Sequence, residues 1–259
     1  MSEGAVSPGG PTQAAIGRWW LLIPAAGSAQ RMRSDVPKQY LRLGERSVLE
    51  LAVSRFVDLP GLAGVILVTS GPIPQAVSDA LSAHGVPVHR VDGGATRAES
   101  VRNGLAMFRD RWTELSSSPA QSGQGEWVMV HDAARPCVRP EDVQQLLTLV
   151  RAPDGGLLTA PVRDTIKRVD RDGRVAETVD RSPLMHALTP QLFPAGVLLE
   201  ALEGALAAGF EVTDESSAVE RAGLRPRAVV GAADNLKITH PEDLTVARAI
   251  LARQGVLDD

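Results

Sequence analysis

Apolar residues fall along the chain in short continuous runs, separated by stretches in which they return every three to four positions. The runs at residues 19–23, 65–68, 86–91, 127–130 and 156–160 read as buried strands. Between them, residues 48–57 place Val48, Leu49, Ala52, Val53 and Phe56 at helical spacing, and residues 74–83, 98–108 and 141–150 repeat that pattern. Pro74 sits at the first turn of its helix, where a missing N–H costs nothing. Strands alternating with helices need crossovers, which predicts an α/β fold with a largely parallel sheet covered on both faces. Helices over 196–208 and 214–222, a short strand over 227–230 and a closing amphipathic helix over 241–251 complete the pattern. Thr213 or Asp214 is the expected cap of the second of these helices.

Two segments break the alternation. Residues 110–126 are rich in Ser, Gly and Pro and read as a surface insertion, because the next strand resumes the pattern. Residues 163–181 hold two β-prone runs, 165–169 and 174–179, flanking Asp170-Arg171-Asp172-Gly173, which is a hairpin signal. Both strands are charged and offer little to a core, and an isolated hairpin is marginal in water. The expectation is an arm that reaches into a second copy of the chain. Residues 1–18 read as a disordered tail without a signal peptide, and residues 19–259 as a single domain.

Composition narrows the function. A formal charge of -4 and only 3% aromatic residues supply neither the basic footprint nor the stacking platforms of a nucleic-acid binder. No apolar run approaches the roughly 18 residues of a membrane span. Cys137 is the single cysteine, so intrachain disulfides and cysteine-based zinc sites are excluded, in keeping with a cytoplasmic location.

Candidate chemistry gathers in the loops after the strands. Pro24, Ala25, Ala26 and Gly27 follow the first strand, and Arg31 and Lys38 come next. Small residues let a backbone approach a ligand, and the two cations can meet charge developing on phosphorus. The same residues also make an ordinary turn with solvated cations. Neither a P-loop nor the three-glycine dinucleotide fingerprint is present, since Ala29 and Met32 stand at the second and third glycine positions. Gly93 and Gly94, with Ser100 beyond them, form a second loop of this kind, which can equally be a flexible connection. His131-Asp132-Ala133-Ala134-Arg135-Pro136 follows the 127–130 strand. Ligands in open α/β sheets bind beyond the carboxyl ends of the strands, and Asp132 there can hold Mg²⁺ against phosphate oxygens; the other reading is a buried Asp–Arg pair that shapes the turn. Late in the chain, Thr189, Thr213, Asp234 and Lys237 add hydroxyls, a carboxylate and a cation, each with a bland local role available.

Taken in order, these strings closely resemble the 2-C-methyl-D-erythritol 4-phosphate cytidylyltransferase family. The resemblance covers about residues 20–250 and rests on Pro24 to Gly27, Arg31-Met32, Pro37-Lys38-Gln39-Tyr40, Gly93-Gly94 with Arg97 and Ser100, and the His131 to Pro136 string. It continues through Pro161-Val162-Arg163-Asp164-Thr165, Val179-Asp180-Arg181, His186-Ala187-Leu188-Thr189-Pro190-Gln191, Thr213-Asp214-Glu215 and Asp234-Asn235 with Lys237. It implies a Rossmann-like nucleotidyltransferase fold with a mostly parallel mixed sheet and a protruding hairpin arm that joins a homodimer. The implied reaction takes CTP and methylerythritol phosphate to the CDP-alcohol and pyrophosphate, with Mg²⁺.

By position, Arg31 and Lys38 would stabilise charge on the α-phosphate and pyrophosphate. Arg181 and Lys237 would place the acceptor phosphate, Arg181 arriving from the second subunit beside Thr165. Asp132 and Asp234 would face metal and acceptor hydroxyls, with Thr189 and Thr213 nearby. Pro24, Ala25, Ala26, Gly27, Gly94, Ser100 and Ala133 would shape the cytidine pocket. Two departures stand out: Ala29 replaces a frequent second glycine, and Ala95 replaces a frequent acidic residue after the paired glycines. Alternatives are the sister reaction on ribitol 5-phosphate and, in another class, a non-catalytic nucleotide-binding protein. Neither nucleic acid nor membrane is an expected partner.

Overall fold

Along β1 (Trp19–Pro24) the side chains divide between two cores. Trp19, Leu21 and Ile23 enter one, and Trp20 and Leu22 the other. The strand is therefore central, with apolar cover on both faces. The computed structural model describes residues 16–27, 36–107, 109 and 126–258. Most of the expected N-terminal tail and nearly all of the 110–126 insertion lie outside the described residues.

After β1, a 3-10 turn (Lys38–Tyr40) and two short strands, β2 (Arg42–Leu43) and β3 (Arg46–Ser47), lead into α1 (Val48–Ser54). Then come β4 (Leu62–Thr69), α2 (Gln75–Ala83), β5 (Val88–Asp92), α3 (Arg97–Ala106), β6 (Trp127–Val130), α4 (Pro140–Leu149) and β7 (Gly156–Pro161). The hairpin β8 (Ile166–Val169) and β9 (Val175–Val179) precedes β10 (Met185–Pro194). The chain closes with α5 (Ala195–Ala207), α6 (Glu215–Arg221), β11 (Arg227–Val230) and α7 (Pro241–Arg253).

Among the described residues, seven strands form one sheet in the order β11-β7-β10-β6-β1-β4-β5. Pairings are parallel except those of β10, which runs antiparallel to both β6 and β7. The mixed, mostly parallel sheet matches the expected architecture. The pattern of the chain did not reveal β10, because its apolar positions do not alternate and Pro190 interrupts it. Its ladder with β7 shifts register between Ala187 and Gln191, the stretch that holds Thr189, whose hydroxyl meets the Asp132 backbone N–H.

Helices α1, α2 and α4 cover one face through Leu49, Val53, Val77, Leu81, Val143 and Leu146. Helices α3, α5 and α6 cover the other through Val101, Leu105, Leu198, Leu202 and Val219. A smaller cluster joins Leu43, Val48, Leu51, Cys137 and Ile238 to Ala247 and Leu251 of α7. Burial pushes the Cys137 thiol up to about 12, so it stays an inert packing group.

β8 and β9 form a separate two-stranded sheet, pairing Ile166 with Val179 and Lys167 with Thr178. Gly173 adopts φ +78° in its turn, as the Asp-Gly signal required. Val169 and Val175 on this hairpin are 55% and 61% exposed, so it protrudes as an arm. Among the described residues no helix is long and apolar enough to cross a membrane.

Candidate active site

Chain direction along the sheet reverses at β1, whose neighbours are β4 on one side and β6 on the other. A crevice opens beyond the carboxyl ends of strands at such a switch point. Here it is a cavity of about 510 Å³ lined by Pro24, Ala25, Ala26 and Gly27 after β1, Gly94 and Ser100 after β5, and Asp132 and Ala133 after β6. Lys38 and Lys237 also line it. Ten residues predicted from sequence thus converge from five separate segments. Arg31 lies outside the described residues.

The first loop is held from behind. Gln39, itself buried, donates Nε2–H to the Ala25 carbonyl at 2.7 Å, and the Ser70 hydroxyl donates to the Ala26 carbonyl at 2.8 Å. The acceptor side of the loop is thereby engaged by protein. Gly93 packs directly on it: a Cβ built there would lie 2.3 Å from the Ala26 Cβ. A Cβ at Gly94 would lie 2.4 Å from that of Glu99. These two glycines are needed for close approach. By contrast, a Cβ on Gly27 would meet none of the described residues within 4 Å, which leaves space on that side for a ligand.

Ser100 is committed to loop geometry rather than offered to a ligand as its donor. Its hydroxyl accepts from the Gly94 N–H at 3.0 Å and donates to the Thr96 carbonyl at 2.9 Å. Thr96 caps α3 in a capping box with Glu99, which orients Arg97 at the helix start.

Charges meet at Asp132. Arg97 Nε lies 3.1 Å from Oδ1, while Lys237 Nζ and Arg135 Nε lie 2.9 and 3.5 Å from Oδ2. Burial opposes ionisation of Asp132, but Arg97 and then Lys237 outweigh it and hold the carboxyl well below the usual carboxylate range. Behind Arg97 stands Glu215, fully buried, accepting from Nη1 and Nη2 at 2.6 and 3.1 Å. Burial likewise works against the Arg97 charge, and Glu215 followed by Asp132 reverses it, so the guanidinium is raised further above its ordinary value. Lys38 Nζ donates to the Ile238 carbonyl at 3.1 Å, and Arg135 Nη1 to that of Asn235 at 2.7 Å. The 232–238 segment that carries Lys237 is therefore tied to the β1 and β6 loops.

The remaining predicted residues sit elsewhere. Thr189 does not line the cavity: it is buried, and its Oγ1 accepts the Asp132 N–H at 3.1 Å beside His131 Nδ1 at 3.0 Å. Asp234 is also absent from the lining, because Arg139 and Arg253 hold its Oδ2 at 2.7 and 2.8 Å. After burial, which opposes it, the Arg139 and Arg253 contacts lower its pKa. Thr213 is exposed just before Asp214, which is the actual cap of α6. Thr165 and Arg181 are exposed on the arm, where Arg181 Nη1 donates to the Arg163 carbonyl.

Among the described residues no group of three or more His, Cys, Asp or Glu could hold a metal ion. Among the described residues, Asp132 is the one carboxylate lining the cavity. Mg²⁺ commonly takes one or two carboxylates together with substrate phosphates. The Asp132 oxygens already face Arg97, Arg135 and Lys237, so an ion could be held here only together with substrate phosphate oxygens; Asp234 does not line the cavity.

The family model for 2-C-methyl-D-erythritol 4-phosphate cytidylyltransferase (IspD) matches residues 20–253, which include all of this cavity. The chain belongs to this family of cytidylyltransferases. It is 48% identical over 232 residues to the 2-C-methyl-D-erythritol 4-phosphate cytidylyltransferase of Ectopseudomonas mendocina, a match covering 89% of this chain and 94% of that one. The enzyme of that name from Pseudomonas aeruginosa PAO1 is 49% identical over 229 residues, covering 87% and 93%. A crystal structure of 4-diphosphocytidyl-2C-methyl-D-erythritol synthase superposes with a TM-score of 0.71 at 37% identity, covering 90% of this chain and 98% of that one.

Within this cytidylyltransferase, sequence reasoning assigned no role to Glu215, Gln39, Asn235 or His131, and treated Arg97 only as part of a motif. Glu215 pairs with a residue 118 positions away. Its only local signal was an acidic residue in the first turn of a helix whose apolar face is otherwise buried.

Proposed function

We propose that this cytidylyltransferase transfers the cytidylyl group of CTP to 2-C-methyl-D-erythritol 4-phosphate, releasing pyrophosphate, in isoprenoid precursor synthesis. The observation that carries the reading is one cavity in which Lys38, Lys237 and Arg97 surround a bare loop of small residues. A polyphosphate needs such a cationic, backbone-lined site.

The reaction joins an acceptor phosphate oxygen to the α-phosphorus of CTP as the bond to the β-phosphate oxygen breaks. No protein nucleophile is required, so the work of the chain is positioning and charge stabilisation. Pro24 to Gly27, Gly94 and Ala133 shape the wall against which cytidine lies, with Ser100 holding the second loop. Lys38, with Arg31, meets the charge that grows on the α-phosphate and on departing pyrophosphate. Lys237, braced by Asp132, draws in the acceptor phosphate. Mg²⁺, held by Asp132 and phosphate oxygens, would neutralise part of the triphosphate charge when bound. Thr213 borders the acceptor end, while Thr189 and Asp234 act from behind by holding the Asp132 and Lys237 segments.

The arm is read as a dimer element. Thr165 and Arg181 are exposed and stand outside the lining of their own cavity, which supports a role for them in completing the site of a second copy. The test is pyrophosphate release with CTP and Mg²⁺, offering methylerythritol phosphate and ribitol 5-phosphate in parallel, with Lys38→Ala as the comparison. Release with methylerythritol phosphate alone is expected, and Lys38→Ala should cut it by ~10²–10³ while CTP still binds. Release with ribitol 5-phosphate alone would move the chain to the sister reaction. Silence of folded, CTP-binding protein would overturn catalysis.

A further inference from the structure

Glu215 is a fully buried carboxylate that does not line the cavity, yet Arg97, its partner among the described residues, does. Both its oxygens accept from the terminal nitrogens of Arg97, at 2.6 and 3.1 Å. That two-point contact fixes the plane of the guanidinium. The remaining nitrogen, Nε, then points at Asp132 Oδ1 from 3.1 Å. With Oδ1 taken, Oδ2 is turned to Lys237 Nζ, 2.9 Å away. Charges alternate along this line from Glu215 in the core to Lys237 in the cavity. Both ends of the fork are anchored at helix starts, Arg97 in α3 and Glu215 in α6, each with its own capping box.

We propose that Glu215 is a positioning residue for the acceptor phosphate, acting through Arg97 and Asp132 on Lys237. A second consequence is electrostatic. With Glu215 present, the Arg97 charge is balanced from behind, which leaves Lys38 and Lys237 as the cations that draw phosphate into the cavity. Without it, Asp132 balances Arg97 from one side only, and the guanidinium is free to turn and hold a phosphate in the wrong place. A buried pair kept for stability alone has apolar substitutes of similar volume that serve as well, so stability does not require this charged fork.

The inference rests on the proposed transfer reaction, and turnover by the unaltered chain tests that reading separately. Glu215→Gln keeps the shape and removes the charge. Its KM for the acceptor phosphate should rise about tenfold and kcat should fall by ~10–10², the scale of a misplacement near 1 Å, while the Kd for CTP stays within about threefold. A mere folding role would lower kcat in proportion to the folded fraction and leave the acceptor KM where it was. Should Glu215→Gln fail to fold, the pair Arg97→Met with Glu215→Met replaces both charges at once and is expected to fold with a raised acceptor KM. An unchanged acceptor KM in either folded variant overturns the proposal. Loss of the fold in both would assign the pair to stability and overturn it as well.

Discussion

Thr189 and His131 share a hydrogen whose direction is determined. Nε2 of His131 lies 3.0 Å from the Arg135 carbonyl, which can only accept, so the proton of the neutral ring sits on Nε2. Nδ1 is then an acceptor, and Thr189 Oγ1 donates to it at 3.0 Å while accepting the Asp132 backbone N–H at 3.1 Å. The ring also packs on Phe56, with centroids 4.9 Å apart. Burial keeps the histidine neutral, and donors then run in one direction beneath Asp132.

Removing the hydroxyl without changing shape isolates this relay. Thr189→Val leaves the Asp132 N–H and His131 Nδ1 buried without partners, and each such group costs ~1–3 kcal/mol. Thr189→Ser keeps the relay and should stay within about 1 kcal/mol of the parent. Urea unfolding of the two variants checks the difference; equal losses would dismiss the relay.

Burial is the main force on His131 and lowers its pKa from 6.5 to about 4. Between those values the unfolded chain binds a proton that the folded chain does not, so stability falls as pH falls. This contribution is complete above pH 6.5. It drops by about 3 kcal/mol by the time pH reaches the folded value. Nitrogen NMR should show a neutral, Nε2-protonated ring throughout pH 5.5–8, with urea midpoints declining below it. A His131 signal that titrates near 6.5 would contradict this.

Two glycines of the cavity fail in different ways. Gly93→Ala sets a Cβ 2.3 Å from that of Ala26, so the loops must separate. Both stability and CTP affinity should fall. Gly27→Ala meets none of the described residues within 4 Å, so the fold should be untouched. Only CTP affinity should fall, by about tenfold, because the ligand needs that space. Calorimetric binding with thermal melts separates the cases; unchanged CTP affinity in Gly27→Ala would move the nucleotide elsewhere.

Subunit mixing tests the arm. Lys38→Ala and Arg181→Ala are each expected to be nearly inactive alone. If Arg181 serves the neighbouring site, a mixed dimer holds one intact site and one doubly damaged site. Random exchange should then restore about a quarter of full activity. Lack of recovery after exchange, in dimers shown to be mixed, would return Arg181 to its own cavity.

The order of strands and helices and the hairpin with its Asp-Gly turn were legible in the chain, as were the small-residue loops that line the cavity. Each depends on neighbours in sequence: a buried face imposes a period, a cap needs a residue three positions on, and a left-handed turn needs glycine. The family strings added which loops share a ligand. Tertiary structure alone decided the rest. β10 is a strand because β6 and β7 pair with it on both sides, overriding Pro190 and the lack of alternation. Thr189 and Asp234, read as ligand groups, are instead drawn to Asp132 and to Arg139 and Arg253. A hydroxyl or carboxylate looks the same in sequence whether it meets a substrate or a buried partner. The fork from Glu215 through Arg97 to Asp132 joins residues as much as 118 positions apart. Nothing local marks it, because its stability comes from exclusion of water, which exists only after α3, α6 and the sheet have packed together.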